Sequence, residues 1–400
     1  MSRRHFIKQA GLMTAAIPFN QIINKFPGLT GEEKVIRIGI IGCGDRGKGL
    51  IQVLKSLPDL FKITAICDVL EFRIKATAAQ LPTSCKSYKD HHQLLNDKEV
   101  DAIVVAVPLF EHYRIAIDAL NAGKHLYLEK TMTYDIPQAL SLVALSKKHP
   151  RQIIQIGHQY RYTPLYYRVK EMIEAGYLGK VTQIDCRWDR NGNWRRPVPE
   201  PSMERIINWR MYKEYSGGLI AELLSHQIDF INWAFNTHPD EIMASGGIDY
   251  YKDGRETDDN VQAILRYNKA GMIGNFGATC GNAHDGYLFK LKGTKGTISL
   301  LTTEGIYYPE KTALKELQTV DGVTGATKIE WNKDGGIPIL KEPTKDGTWY
   351  AFKDFHKCLT ENKQPDSNII TGAKTAICVH LANKALNENR IMSWKPEYNV

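Results

Sequence analysis

One short segment restricts the fold of this chain more than any other: Gly42, Gly44 and Gly47, spaced Gly-x-Gly-x-x-Gly, join an apolar run at residues 35–41 to an amphipathic stretch at 48–57. The first glycine permits a tight turn, the second lets the backbone approach a pyrophosphate, and the third lets the next helix pack closely on the strand. Asp45 and Arg46 lie inside that turn, where the free amides of a helix start attract an anion. Asp68 follows twenty-one positions after Gly47, at the end of the next apolar run. An acid at that place accepts hydrogen bonds from the adenosine ribose and repels a 2′-phosphate. The cofactor expected is therefore NAD in preference to NADP, with Arg73 just beyond as the one feature that softens the preference.

The strand, turn and helix unit recurs. Apolar runs at 62–67, 100–107, 125–128 and 152–156 alternate with helical stretches, clearest at 111–122 and 136–147. Near-continuous apolar strands separated by helices imply a parallel sheet covered on both faces, a Rossmann-type doubly wound α/β domain. After about residue 160 the rhythm changes to longer alternating runs at 181–188, 241–250, 260–267, 271–279, 288–293 and 297–300. That pattern predicts an α+β domain with a mainly antiparallel open sheet, with helices at 165–175, 220–235, 350–360 and 372–388. The expected organisation is an NAD-binding domain over 34–158 and a substrate and oligomerisation domain over 159–400.

Residues 1–33 stand apart from this pattern. There Ser2-Arg3-Arg4-His5-Phe6-Ile7-Lys8 precedes a modestly apolar stretch ending at Phe19, which resembles a twin-arginine export leader and implies a periplasmic destination. No apolar run reaches the roughly 18 to 20 residues of a spanning helix, so no membrane insertion is expected. The net charge of +8 includes Arg3, Arg4, Lys8 and Lys25, and the remaining cations are dispersed among acids. No nucleic-acid partner is expected from such a distribution. The seven cysteines include no Cys-x-x-Cys pair; they read as small buried hydrophobes, with neither a metal site nor a disulfide framework expected.

The chemistry gathers at strand ends. The run at 100–107 ends in Val107-Pro108 with His112 close behind, and the run at 125–128 leads into Glu129-Lys130. Both stand at the carboxyl edge of the sheet, where open parallel sheets bind ligands. On the helix expected at 220–235, Glu222 and His226 are four residues apart and share a face, so a carboxylate there can orient the imidazole. Tyr160, Trp188, Trp194, Trp209 and Tyr212 supply flat surfaces of the kind that stack on a sugar ring.

The runs Ala122-Gly-Lys-His-Leu-Tyr-Leu-Glu129-Lys130, Gly157-His-Gln-Tyr-Arg-Tyr162, and Gly217-Gly218 leading to Ser225-His226-Gln-Ile-Asp229 are similar to the motifs of the Gfo/Idh/MocA family. The resemblance covers nearly the whole chain after residue 33. It implies an NAD(P)-dependent oxidoreductase of sugars, inositols or their derivatives, with a catalytic lysine, acid and histidine. Carried over, Lys130 is the lysine and His226 the histidine, while Glu222 replaces the usual aspartate. Thr131 and Leu109 depart from the family's common proline and asparagine. Cofactor contacts are expected from Gly42, Gly44, Asp45, Arg46, Gly47, Asp68, Pro108, His112, Glu129, Lys130, Gln159 and Arg210, and substrate contacts from His158, Tyr160, Arg161, Trp188 and Trp209. A minority branch of the family consists of redox-neutral NAD-dependent glycosidases; the Glu129-Lys130 pair and the histidine motif favour direct oxidation instead. An open sheet face in the second domain, as in the family, implies a homo-oligomer.

An exported enzyme meets no soluble NAD pool. The expectation is thus a small-molecule carbohydrate substrate oxidised by a cofactor that stays bound and is regenerated in place.

Overall fold

Side chains such as Ile38, Ile40, Val104 and Leu126 are fully hidden, because their strands run through the middle of a sheet with helices on both sides. The computed structural model describes residues 34–284, 286–311, 313 and 335–400; the leader expected at 1–33 lies outside the described residues. The first sheet is built from β1 (Ile36–Ile41), β2 (Phe61–Cys67), β3 (Lys86–Tyr88), β4 (Ala102–Val105), β5 (His125–Leu128) and β6 (Ile154–Ile156). All of its pairings are parallel, in the order β3-β2-β1-β4-β5-β6. This is the dinucleotide-binding order, and the chain reverses direction across the sheet between β1 and β4. Ile41 pairs with Cys67 on one side and Val105 on the other, so Gly42, Asp68 and Ala106 emerge together at one edge.

The helices following these strands are α1 (Asp45–Lys55), α2 (Glu71–Ala78), α3 (His91–Leu95), α4 (His112–Asn121) and α5 (Ile136–Ser146). The sequence pattern does not announce β3, a three-residue edge strand with two exposed positions. The chain then enters the second domain through α6 (Pro164–Glu174), started by Thr163, whose side chain accepts from the Tyr166 amide, with Pro164 in the first turn.

The second sheet comprises β7 (Val181–Trp188), β8 (Glu241–Gly247), β9 (Asn260–Tyr267), β10 (Met272–Thr279), β11 (Tyr287–Gly293), β12 (Gly296–Leu300), β13 (Gly305–Pro309), β14 (Ile337–Pro338) and β15 (Met392–Ser393). Its order is β14-β13-β12-β11-β7-β10-β9-β8-β15. Only the β7–β10 pairing is parallel, in keeping with the mainly antiparallel sheet expected. The strand expected to reach residue 250 stops at Gly247, because the Asp259 carboxylate takes the amides of Asp249, Tyr250 and Tyr251 and draws them out of the ladder. One face of this sheet is covered. The other leaves Met243, Ile264 and Ile273 more than two-fifths exposed, with Met243 and Ile264 directly opposite each other.

Between β7 and β8 lie α7 (Glu204–Ile207), a π-turn at Ile220–Leu224 and α8 (Ser225–Ala234). The last two helices are α9 (Gly347–Glu361) and α10 (Ile369–Glu388). Although it follows the second sheet in sequence, α9 packs on the first. Phe352 meets Tyr127 with ring centroids 4.8 Å apart and Phe61 at 5.8 Å, and Phe355 belongs to the same buried cluster as Ile38 and Ile40. No helix among the described residues is long and apolar enough to cross a membrane.

Candidate active site

The glycine-rich turn separates what the protein needs from what a ligand needs. Gly42 has φ +101°, and a Cβ there would stand 2.3 Å from the Ala106 carbonyl oxygen. A Cβ on Gly47 would stand 1.9 Å from the Gly42 oxygen. Gly44 differs: a Cβ would meet nothing nearer than the Arg73 guanidinium at 3.5 Å, and the bare backbone faces a cleft. Gly44 precedes α1 without any side-chain cap, so the first-turn amides remain free for an anion. These features fit a dinucleotide.

Asp68 braces the turn. Its Oδ2 accepts the Cys43 amide and its Oδ1 the Leu70 amide, both at 2.8 Å, leaving one lone-pair direction on each oxygen.

The cleft, about 600 Å³, runs from Gly44, Lys48, Phe72 and Arg73 to Lys130, Trp188, Trp209 and His226. Three of its arginines are spoken for. Arg46 pairs with Glu129 at 2.7 Å, Arg196 with Asp45 at 2.9 Å, and Arg210 with Glu222 at 2.7 Å. Arg46 and Glu129 thus tie the glycine turn to the end of β5. Arg210, expected at the cofactor phosphates, lines the cleft with its Cζ 4.3 Å from the Trp209 ring centroid, and its charge is paired with Glu222. Pro108, His112 and Gln159 also line the cleft. The His112 ring joins two loops, Nδ1 to the Thr131 oxygen at 2.8 Å and Nε2 to the Val107 oxygen at 3.1 Å.

Lys130 is placed by the π-turn. A turn closed by i→i+5 bonds is wider than an α-turn and presents its carbonyls sideways. Lys130 Nζ donates to the Glu222 oxygen at 2.6 Å and the Ala221 oxygen at 3.3 Å. The Ala221 oxygen also accepts from Thr131, across a cis Lys130–Thr131 peptide, and from Ser225. Burial lowers the Lys130 pKa, although Glu222 and Glu129 pull the other way. Burial would raise that of Glu222, but Arg210 and Lys130 outweigh it and hold the carboxyl below its usual range.

The same turn corrects one sequence expectation. Glu222 does not orient His226: the widened turn breaks the four-residue stacking, the carboxylate goes to Arg210, and His226 Nδ1 is buried without a hydrogen-bond partner. His226 lines the cleft, so Nε2 is the nitrogen that meets it. Burial, with the charges of Lys130 and Arg46 nearby, holds the imidazole well below its ordinary pKa, and it is neutral near pH 7.

Behind His226 the expected substrate residues form a second layer. Tyr160 stacks on the imidazole at 4.7 Å and backs it without lining the cleft. Arg161, fully buried, grips Asp229 through two bonds of 2.6 and 2.7 Å. His158, also buried, stands 3.3 Å from Asp229. Neither Arg161 nor His158 reaches the cleft, since each is spent on a buried acid. Trp188 and Trp209 do reach it.

The Arg- and Pro-rich stretch 189–201 reads in the sequence as a long loop near the substrate but does not single out Arg190, which lies over both Trp188 and Trp194 at 5.4 and 5.9 Å on the cleft rim. It sits in a segment without regular pattern, whose one signal is density in arginine and tryptophan. Trp194 there adopts φ +62°, a conformation bulky residues rarely take.

Comparisons with known proteins agree with this fold. A family model described as an oxidoreductase family with an NAD-binding Rossmann fold matches residues 36–158, and the GFO/IDH/MocA C-terminal domain matches 166–299. The chain is 29% identical over 205 residues to inositol 2-dehydrogenase/D-chiro-inositol 3-dehydrogenase of Lactiplantibacillus plantarum, covering 51% of this chain and 54% of that protein. It is 28% identical over 243 residues to myo-inositol 2-dehydrogenase of Thermotoga maritima, covering 60% and 67%. The match thus spans about half the length of the first of these relatives. In fold it resembles an aldose-aldose oxidoreductase from Caulobacter crescentus, with a TM-score of 0.71 at 17% identity over 90% of this chain and all of that one.

Proposed function

Since the chain belongs to the Gfo/Idh/MocA family, both of whose domains it carries, we propose that it is an exported NAD-dependent carbohydrate oxidoreductase, acting on a sugar or glycoside hydroxyl. One observation carries the reading: Lys130 and the cleft-facing nitrogen of His226 line the same cleft as the bare backbone of Gly44. NAD, when bound, supplies the acceptor for the hydrogen that leaves the carbinol carbon. Gly44 and the uncapped start of α1 hold its pyrophosphate, and Asp68 offers its remaining lone pairs to the ribose.

His226, neutral, takes the hydroxyl proton on Nε2. Lys130, anchored to the π-turn carbonyls, directs its remaining N–H at the oxygen that becomes a carbonyl. Trp188 and Trp209 offer their faces to the apolar side of the sugar ring.

Export rests on Arg3 and Arg4. It requires the cofactor to travel with the protein and to be restored there by a second, keto-sugar substrate. The exposed Met243, Ile264 and Ile273 face supports assembly into a homo-oligomer.

The test is to denature the native protein, look for released nicotinamide nucleotide, and then add a panel of sugars to the folded protein while following reduction of the bound cofactor. Reduction that persists until a keto-sugar is added supports the reading. Release of an aglycone without lasting reduction, or a protein unable to take up NAD, overturns it. For export, a paired Arg3→Lys, Arg4→Lys variant should remain in the cytoplasm.

A further inference from the structure

We propose that His158, backed by Asp229, is the positioning residue that fixes the tautomer of His226, a role the sequence pattern offers to Glu222. The inference rests on His226 being the base of the proposed reaction.

A base that accepts on Nε2 must carry its own proton on Nδ1. His226 Nδ1 faces the protein interior, where a donor left without an acceptor is costly. Of the rings around it, Tyr160 lies nearly parallel at 27° and presents its face, and Trp188 carries no in-plane acceptor. His158 is the ring that meets His226 edge to face, at 88° with centroids 6.3 Å apart, and both of its nitrogens are likewise buried and without a hydrogen bond.

Asp229 settles which nitrogen of His158 is protonated. It is held ionised by the two bonds from Arg161 and one from Thr375. His158 Nδ1 stands 3.3 Å from Asp229 Oδ1, within charge contact though not aligned as a hydrogen bond. A small ring rotation lets Nδ1–H donate there, which leaves the Nε2 lone pair as acceptor. The centroid separation is too long for a direct N–H to N bond and suits one bridging water, which accepts from His226 Nδ1–H and donates to His158 Nε2. The substrate proton goes to His226 Nε2, the Nδ1 proton stays in place, and Asp229 keeps its charge.

The groups facing these rings support the assignment. His226 feels Lys130, His158 and Arg46, and His158 feels Asp229, Arg161, Lys130 and Glu129. Burial pushes His158 down to about 4, so it is neutral at working pH and free to accept.

The test compares His158→Phe with His158→Gln in the full-length, cofactor-loaded protein. His158→Phe should lower kcat by about ten- to a hundredfold, part of the hundred- to ten-thousandfold worth of a general base. It should also move the acid limb of the kcat profile to lower pH, with KM and bound nucleotide unchanged. Gln keeps a donor for Asp229 and an acceptor for the water, and should restore most of the loss. Nitrogen NMR of histidine-labelled wild-type protein should show His226 as the Nδ1–H tautomer, and this measurement needs no variant to fold. A His158→Phe protein with wild-type kcat and pH profile, or His226 found as the Nε2–H tautomer, overturns the inference while leaving the proposed function intact. If His226→Ala itself retains turnover, the reading of His226 as base fails and this inference with it.

Discussion

Arg210 Nε lies 2.7 Å from Glu222 Oε2, and this pair sets two opposed charges beside the buried Lys130. Glu222 supports the Lys130 charge, whereas Arg210 opposes it. The backbone oxygen of Glu222 independently holds Nζ, so a side-chain change alters the charge around Lys130 without removing its anchor.

Glu222→Gln separates those two effects. Lys130 should lose its largest charge support, so the alkaline limb of the rate profile moves to lower pH. Turnover at mildly alkaline pH should fall about tenfold, equivalent to about 1.4 kcal/mol. A pH profile of cofactor reduction checks this; an unmoved alkaline limb means that Lys130 does not titrate in the reaction.

The glycine turn gives a sharper contrast. Gly47→Ala places a Cβ 1.9 Å from a backbone oxygen that cannot yield, and should destabilise the fold by about 1–3 kcal/mol or more. Gly44→Ala meets no protein atom closer than 3.5 Å. It should leave the melting temperature of the nucleotide-free protein unchanged and abolish nucleotide retention. Thermal unfolding alongside the nucleotide content of the native protein distinguishes the two, and a Gly44→Ala protein that retains NAD rejects the pyrophosphate assignment.

The glycine case shows why the first domain could be read from the chain. Its strands are buried on both faces and its turn chemistry is local, so apolar runs and glycine spacing carry the fold. That Lys130 and His226 line one cleft was legible for the same reason, each standing in a short motif. Glu222 misled because its four-residue spacing from His226 means one thing on an α-helix and another on the π-turn at Ile220–Leu224, and nothing in the apolar pattern there distinguishes them. Arg161 and His158 looked like ligands because polar residues in a motif invite that reading. Their true partner, Asp229, lies sixty-eight residues beyond Arg161. Helix α9 could not be assigned to the first sheet from sequence, since only long-range packing of Phe352 and Phe355 places it there.

Asp229 predicts acid sensitivity. Burial opposes its charge, but Arg161 and His158 overcome that and hold the carboxyl below its ordinary value. An acid with a depressed folded pKa contributes stability that is complete above the unfolded value of about 3.9 and is lost as pH falls through the folded one. Asp229→Asn should remove that contribution and leave Arg161 uncompensated, at a cost of about 3–5 kcal/mol. The difference from wild type should be constant near neutrality and shrink below about pH 4; denaturant unfolding across that range reads it directly.

Asp354 on α9 runs the opposite way. Burial, reinforced by the nearby charge of Asp366, pushes its carboxyl up to about 6, against weaker help from Cys358 and Tyr162. An acid whose folded pKa is raised binds its proton more tightly in the folded state, so stability falls as pH rises from about 4 to 6 and stays low above that. The charge is therefore a liability at neutral pH, in a helix that seals the first sheet. Asp354→Asn keeps the shape and one acceptor while discarding the charge. It should raise the melting temperature at pH 7 through a gain on the order of 1–3 kcal/mol, and have little effect near pH 4. Melting curves of both proteins at the two pH values decide the matter: equal gains at each would show that packing, and not the buried charge, limits the stability of this helix.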